Sequence, residues 1–448
     1  MSGPDISIVG AGLAGSLLAL DLARRGQSVE LFERYPDPRR QRVPAGRSIN
    51  LALAERGRMA LSKAGLLETV EAFSLPMRGR MLHDVNGETR LQRYGQRADE
   101  VIWSVHRGHL NQALLDAAEG AGVRIHFDHE LASADFEKRE LRFTNAAGGT
   151  LTVAFRLAIG ADGAGSALRR AMEQVRPLNA REVPLGHGYR ELSIPPGPDG
   201  DFQLDPEALH IWPRGGYMMI ALPNPDRSFT CTLFLANASS EEDAPSFERL
   251  QDPAEMRRFL TREFPDAVER MSELDHELRN NPVGYLATLY TDHWHLDDRA
   301  VLIGDAAHAI VPFHGQGMNA AFEDVVALSD RLVERGISEA VLEDFVAERK
   351  PSADAIAAMA LDNYLEMRDR VRDPRFHLIK QLEWALEARL GEAFIPRYQM
   401  VMFHPEISYA EAHRRGERQR ELLERLTEGH ESIEEIDLDQ ACQAARRL

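Results

Sequence analysis

The chain opens on a short run of mainly β-branched residues, Ile6-Ser7-Ile8-Val9, that stops at a glycine, a pattern that predicts a buried strand. Leu and Ala then recur at helical spacing over residues 16–25, Gly26 provides the stop, and residues 28–32 predict a second strand leading into Glu33. Strand, helix and strand make a complete βαβ unit. Helical periodicity returns over 108–120, and apolar runs at 123–127, 157–160 and 300–303 predict further strands. Buried strands alternating with helices imply a parallel sheet with helices on its faces.

Three stretches break this rhythm. Residues 77–94 predict an extended hairpin around the turn Asp84-Val85-Asn86-Gly87, and β-rich sequence fills 127–153. Between about 177 and 282 the pattern is one of short strands, 210–212, 217–222 and 229–235, the last two joined by Pro223-Asn224-Pro225-Asp226. This predicts a second, antiparallel sheet. In its 229–235 strand Thr230, Thr232 and Phe234 share one face and Cys231, Leu233 and Leu235 the other, so one face is expected to line a pocket and the other to pack, with Cys231 a small core residue. From 339 onward strand patterns give way to long Glu/Arg/Ala/Leu-rich helices. The expected class is α/β: a Rossmann-like nucleotide domain from 1–75, 105–177 and 286–340, interleaved with a substrate-binding antiparallel sheet from 76–104 and 178–285, and a helical cap over 341–448.

The turn after the first strand reads Gly10-Ala11-Gly12-Leu13-Ala14-Gly15. In such a loop the first glycine permits a tight turn, the second lets the backbone approach a pyrophosphate, and the third allows close helix packing. The helix N-terminus offers unpaired N–H groups to the anion. Glu33 is placed to accept hydrogen bonds from a ribose and disfavours a 2′-phosphate in this site. That fingerprint alone serves NAD and FAD equally. A second signature, Val301-Leu302-Ile303-Gly304-Asp305-Ala306-Ala307-His308 followed by Pro312-Phe313-His314-Gly315-Gln316-Gly317-Met318-Asn319, separates them, because FAD is long enough to reach it. Asp305 is placed to meet the ribityl chain, and a helix starting near Gln316 would aim its positive end at the isoalloxazine pyrimidine, favouring negative charge on reduced flavin.

At 448 residues with 44% hydrophobic content, the chain has material for more than one lobe. Its net charge of −18 argues against nucleic acid or an anionic membrane as partner. Cys231 and Cys442 are the two cysteines, without a CxxC, so neither a disulfide framework nor a thiolate zinc site is expected, and a reducing cytoplasm fits. No apolar run approaches the ~18 residues that span a bilayer, and no basic and apolar leader precedes the first strand, so neither export nor membrane anchorage is expected. No set of His, Asp and Glu has ligand spacing, so no metal is expected.

The Gly-rich start, Asp162-Gly163 after a strand, and the distal Gly304-Asp305 with its Pro and Gly-rich helix start together resemble the group A flavoprotein aromatic hydroxylases, over residues 1 to about 340. Within that group, Gly46-Arg47-Ser48-Ile49-Asn50-Leu51-Ala52, Met77-Arg78-Gly79-Arg80-Met81-Leu82-His83-Asp84, the 312–319 segment and Asp362-Asn363-Tyr364-Leu365-Glu366-Met367-Arg368 resemble the kynurenine 3-monooxygenase family in its soluble bacterial form. The resemblance implies FAD held by Gly10, Gly12, Leu13, Gly15, Glu33, Arg34, Ala52, Arg107, Leu131, Asp162, Gly163, Gly304, Asp305, Gly317, Met318 and Asn319. In it Arg107 approaches the FAD phosphates and Asp162-Gly163 also serves the nicotinamide, without a separate NADPH domain. It further implies NADPH and O₂ as co-substrates and oxygen delivered from a flavin C4a-hydroperoxide.

The implied substrate is L-kynurenine, hydroxylated to 3-hydroxy-L-kynurenine. By resemblance its carboxylate is held by Arg80, Tyr94, Asn363 and Tyr398, and the chemistry agrees: a planar charged donor fork with neutral donors around it. Glu366 lies three residues from Asn363 on one helix face; it either orders Asn363 or Arg80, meets the substrate ammonium, or is a solvated charge. Leu209, Met218, Leu222, Phe234, Pro312, Phe313 and His314 are expected to form an apolar slot for the ring, with His314 positioning rather than acting as a base. The same residues would suit a hydroxylase of another aromatic acid and, less well, an FAD-dependent reductase or a nucleotide-binding regulatory module. The reading leaves room for a homodimer.

Overall fold

Four of the apolar runs lie side by side. In the computed structural model, which describes residues 5–40, 50–241, 243–368 and 373–448, strands Ala300–Leu302, Leu157–Gly160, Ile6–Val9, Val29–Phe32 and Arg124–His126 are adjacent and parallel in that order, and His295–Leu296 closes one edge antiparallel. The first four are buried along their whole length, as strands covered on both faces must be. Helix Leu13–Arg24 packs Leu17, Leu18 and Leu20 into this core and ends where Gly26 turns with φ +82°. A separate three-stranded sheet, Glu130–Asp135, Glu140–Thr144 and Thr150–Ala154, is an antiparallel insertion.

These elements belong to a unit formed by Met1–Ser74, Val105–Leu185 and Ala287–Asp354. A second unit comprises Leu75–Ser104, Gly186–Leu286 and Ala355–Leu448. It is built on a mixed sheet in which Phe229–Ala236, Met218–Pro223, Ala208–Pro213, Gly79–His83 and Thr89–Arg93 are consecutive neighbours. The expected hairpin is present: Gly79 pairs with Arg93 and His83 with Thr89, and Asp84 Oδ1 closes the turn by accepting from the amides of Asn86 and Glu88.

Register assigns the two faces of this sheet. Trp212, Met219, Ala221, Phe229, Cys231, Leu233 and Leu235 form one buried core with Met256, Phe259, Leu260, Leu274 and Leu278. Burial raises the Cys231 thiol's pKa, as for a packed core group. Residues 253–280 correct the expectation of a purely short-stranded region, for they form helices Pro253–Glu263, Pro265–Val268 and Leu274–Asn280. Asp252 caps the first, accepting from the amides of Ala254 and Glu255 ahead of a proline at the first turn, a helix start that the flanking β pattern masked. Beyond 339 the regular elements among the described residues are helices, and helices Pro374–Leu390 and Tyr409–Leu426 share a core of Leu378, Leu382, Leu386, Leu422 and Leu423. Among the described residues no helix is long and apolar enough to cross a membrane.

Candidate functional site

Because five strands of the first unit's main sheet are parallel and adjacent, their C-terminal ends share one edge, and four of those ends carry one of the expected chemical groups. In order across the sheet these are Gly304-Asp305, Asp162-Gly163, Gly10 to Gly15, and Glu33. The glycines fit this packing. A Cβ on Gly10, which has φ +102°, would lie 2.5 Å from the Ala161 carbonyl oxygen, and one on Gly15 would lie 1.9 Å from the Gly10 carbonyl oxygen. Among the described residues a Cβ on Gly12 would meet nothing within 4 Å, so that side of the loop is open to them. Gly12 precedes helix Leu13–Arg24 with no side chain capping it, leaving the helix N-terminus for an anion. Glu33 is tied to the loop, its Oε2 accepting from Ala11 N at 2.8 Å and its Oε1 from Tyr35 N at 3.0 Å, and each oxygen keeps a lone pair for a ribose hydroxyl.

Asp162 Oδ2 accepts from Ala167 and Leu168 N, whereas its buried Oδ1 has no hydrogen-bond partner among the described residues. An orphaned carboxylate oxygen beside the Gly10 turn is what an absent polar ligand leaves behind. A glycine cradle, an open second glycine, an uncapped helix and an orphaned acid thus fit FAD. Arg107 is the exposed first residue of helix Arg107–Gly120, Arg34 is exposed with its guanidinium over the Tyr35 ring, and Leu131 is buried in strand Glu130–Asp135. Of the motif around Ala52, residues 46–49 lie outside the described residues.

The 3₁₀ turn Pro312–His314 precedes helix Gly317–Arg335, so Gly317 and Met318 form that helix's first turn, and Phe313 and His314 are buried. Asn319, which the resemblance implies at the FAD, is tied into the surrounding backbone. Its Oδ1 accepts from Ala54 N, and its Nδ2 donates to the carbonyls of Ala52 and Gly315, so its side chain shapes the cofactor loops. Behind Gly304 lies a charge network the sequence did not flag. Asp324, wholly buried, accepts from Gly304 N at 3.0 Å, from His308 Nε2 at 2.5 Å and from Arg349 Nε at 2.8 Å; Arg349 and Arg56 both pair with Glu323. Burial opposes the Asp324 charge, but His308 and Arg349 outweigh it and lower its pKa; burial likewise opposes the His308 charge, and Asp324 raises its pKa.

In the second unit the sheet face opposite the helical core carries Arg80, Leu209, Met218, Leu222 and Phe234, since register places Leu209 beside Arg80 and Met218 beside Phe234. Four of the seven expected ring-slot residues therefore share one face with the expected carboxylate anchor. A cavity of about 430 Å³, open mouth included, is lined by Arg80, Gln92, Arg93, Tyr94, Glu366, Lys380, Glu383, Trp384, Pro396, Tyr398 and Gln399. The Arg80 guanidinium lies 4.7 Å from the Tyr398 ring centroid, Tyr398 stacks on Tyr94 at 5.8 Å, and Arg80 Nη1 is 3.9 Å from Glu366 Oε1. Burial disfavours the Arg80 charge, yet the two phenols and Glu366 more than offset it and raise its pKa; burial also raises the pKa of both phenols, keeping them neutral donors. Asn363 does not line this cavity; it is buried on the same helix as Glu366 and its Nδ2 donates to Met367 Sδ. Lys380 and Glu383 were missed, since at i,i+3 on a charged helix they read as an ordinary solvated pair.

Residues 4–360 match the family model described as FAD binding domain. The chain is 51% identical over 434 residues to kynurenine 3-monooxygenase of Stenotrophomonas maltophilia (strain K279a), covering 97% of this chain and 94% of that protein, and it shows the same identity and coverage with kynurenine 3-monooxygenase of Xanthomonas oryzae pv. oryzae (strain KACC10331 / KXO85). Among solved structures it is similar in fold to a tetrameric 2-methyl-3-hydroxypyridine-5-carboxylic acid oxygenase, with a TM-score of 0.68 and 21% identity over 91% of this chain and 98% of that one. A second, P. aeruginosa PqsL in complex with 2-aminobenzoylacetate, gives 0.65 at 22% identity over 82% of this chain and 98% of that one.

Proposed function

The chain belongs to the kynurenine 3-monooxygenase family of FAD-dependent aromatic hydroxylases, and we propose that it converts L-kynurenine to 3-hydroxy-L-kynurenine using NADPH and O₂. One observation carries the substrate assignment: a buried guanidinium, two neutral phenols and a carboxylate line a cavity on the sheet face that also carries Leu209, Met218, Leu222 and Phe234. That is the complement of an amino-acid head on an aromatic body. Arg80 takes the carboxylate with Tyr94 and Tyr398 as further donors, while Glu366, 3.9 Å from Arg80, faces the ammonium.

FAD, when bound, would accept a hydride from NADPH and, once reduced, activate O₂ so that one oxygen atom passes to the ring and the other leaves as water. The chain's own residues bind and orient. Gly12 and the N-terminus of helix Leu13–Arg24 take the pyrophosphate, Glu33 the ribose, and Asp305 the ribityl chain, while Asn319 fixes the loops around them. The N-terminus of helix Gly317–Arg335 favours negative charge on the flavin. The substrate's aniline nitrogen already activates its ortho carbon, so no strong base is required, and Phe313 and His314 keep their part of the site dry. The unbridged cysteines suit a reducing cytoplasm.

The test is NADPH oxidation by the FAD-loaded protein with and without L-kynurenine, with the product weighed by mass spectrometry. Stimulated oxidation and a product one oxygen heavier support the reading. Stimulation that yields peroxide alone ends the substrate assignment, and turnover confined to another aromatic acid replaces it.

A further inference from the structure

An amino-acid head carries an ammonium as well as a carboxylate, and an ammonium brings several donors that call for more than one acceptor. Besides Glu366, the cavity wall holds a neutral one. Gln399, on helix Arg397–Phe403, lines the cavity and is 3% exposed. Its Nε2 donates to Glu387 Oε2 at 2.9 Å, while its Oε1 makes no hydrogen bond among the described residues. An amide oxygen buried without a partner is costly, so one at a cavity wall marks a place for a donor. We propose that Gln399 is a specificity-determining residue, offering its side-chain oxygen to the ammonium of the substrate's amino-acid head.

A chain of hydrogen bonds fixes which end of the amide faces the cavity. The Trp384 carbonyl can only accept, so Gln96 turns its NH₂ group to it at 3.1 Å, and the same nitrogen donates to Glu387 Oε2 at 2.8 Å. Glu387 Oε2 is therefore an acceptor, and Gln399 presents its own NH₂ group to it. Glu387, on helix Pro374–Leu390, is not among the residues lining the cavity. The two ends of an amide diverge, so with the nitrogen directed to a carboxylate behind the wall, the oxygen is the end left for the cavity. Donors for a carboxylate, Arg80, Tyr94 and Tyr398, and acceptors for an ammonium, Glu366 and Gln399, thus line one cavity. A simple aromatic acid has no donor for Gln399, and a site built around such a bond disfavours the ligand that lacks it.

This inference rests on the proposed L-kynurenine reading, and the test separates the two. FAD-loaded wild type and Gln399→Met, which keeps the side chain's length but not its acceptor, are titrated with two ligands. One is L-kynurenine and the other its analogue in which hydrogen replaces the α-amino group, binding being read from the change in flavin absorbance. Gln399→Met is expected to raise the dissociation constant of L-kynurenine about tenfold, the loss of one hydrogen bond to a charged group, and to leave that of the analogue within about twofold. Glu387→Leu frees the amide to turn, so it should weaken L-kynurenine by a smaller factor and again spare the analogue; it carries the test should Gln399→Met not fold. Equal losses for the two ligands would mark mere packing and overturn the assignment, as would a folded Gln399→Met that binds L-kynurenine like wild type. A wild type that does not bind L-kynurenine overturns both the function and this inference.

Discussion

Replacing Arg80 by Met tests the substrate cavity most directly. The side chain is buried, its guanidinium lies against Tyr398, and Glu366 waits 3.9 Å away. Two losses follow. A charge-assisted hydrogen bond to the substrate carboxylate is worth about 1.5–3 kcal/mol. In addition, the substrate carboxylate is left facing Glu366 without the intervening cation. With the 3.9 Å gap and a roughly 2.9 Å hydrogen bond between them the two carboxylates sit about 6 Å apart, a repulsion of up to ~3 kcal/mol at an effective dielectric of ~20. The smaller loss alone raises the dissociation constant of L-kynurenine at least about tenfold. Arg80→Lys keeps the charge but loses the planar fork and falls between. The assay is titration of the FAD-loaded variants with L-kynurenine, read as KM of stimulated NADPH oxidation, with melting temperature as the control for folding. A well-folded Arg80→Met enzyme whose KM stays within about twofold of wild type would falsify the carboxylate assignment.

Gly12 and Gly15 give a contrasting pair. A methyl group on Gly12 enters open space, so Gly12→Ala should leave the melting temperature unchanged and weaken FAD retention on gel filtration, whereas Gly15→Ala, forced to 1.9 Å from the Gly10 carbonyl, should lower both, by about 1–3 kcal/mol in stability; equal FAD retention in wild type and Gly12→Ala would remove the pyrophosphate from that turn. Asp324→Asn takes from His308 its buried counter-charge and from Arg349 one of its two carboxylate partners, and is expected to cost about 3–5 kcal/mol in urea unfolding; a cost under about 1 kcal/mol would mean the network is not electrostatically held. The pKa of His308 is raised in the fold, so its contribution is present below the ordinary histidine range and lost as pH rises through the folded value, and His308→Gln should flatten a decline in stability above neutral pH that the wild type shows. His210 is the opposite case: burial lowers its pKa to about 4, so its contribution is lost as pH falls from the ordinary histidine range of ~6.5 toward about 4, and circular dichroism through that window should show His210→Gln less acid-sensitive than wild type.

Much of the cofactor site was legible in order along the chain, because a nucleotide fingerprint is local chemistry. Glycine types, an acid at the end of the next strand and a distal Gly304-Asp305 each declare their backbone geometry in one or two turns of sequence. Strands 6–9, 29–32 and 157–160 were equally plain, since a strand buried on both faces leaves a continuous apolar run. The hidden helices of 253–280 show the limit of that reading: short helices beside a sheet inherit the apolar composition of their neighbours, and the local signals were Asp252-Pro253 and Pro265 at two helix starts.

Composition and spacing thus determined the class of fold and the nucleotide edge, and resemblance picked out Arg80, Tyr94 and Tyr398, which line one cavity. Tertiary structure alone decided which charges meet. Lys380 lies 300 residues from Arg80 in sequence, yet both line one cavity, and Asp324 accepts from Gly304 twenty positions away while pairing with His308 and Arg349. A sequence records the type of a charge but not its burial or its partners. Electrostatic strength depends on both, because the same Lys–Glu spacing is worth almost nothing in water and governs ionisation in a walled cavity.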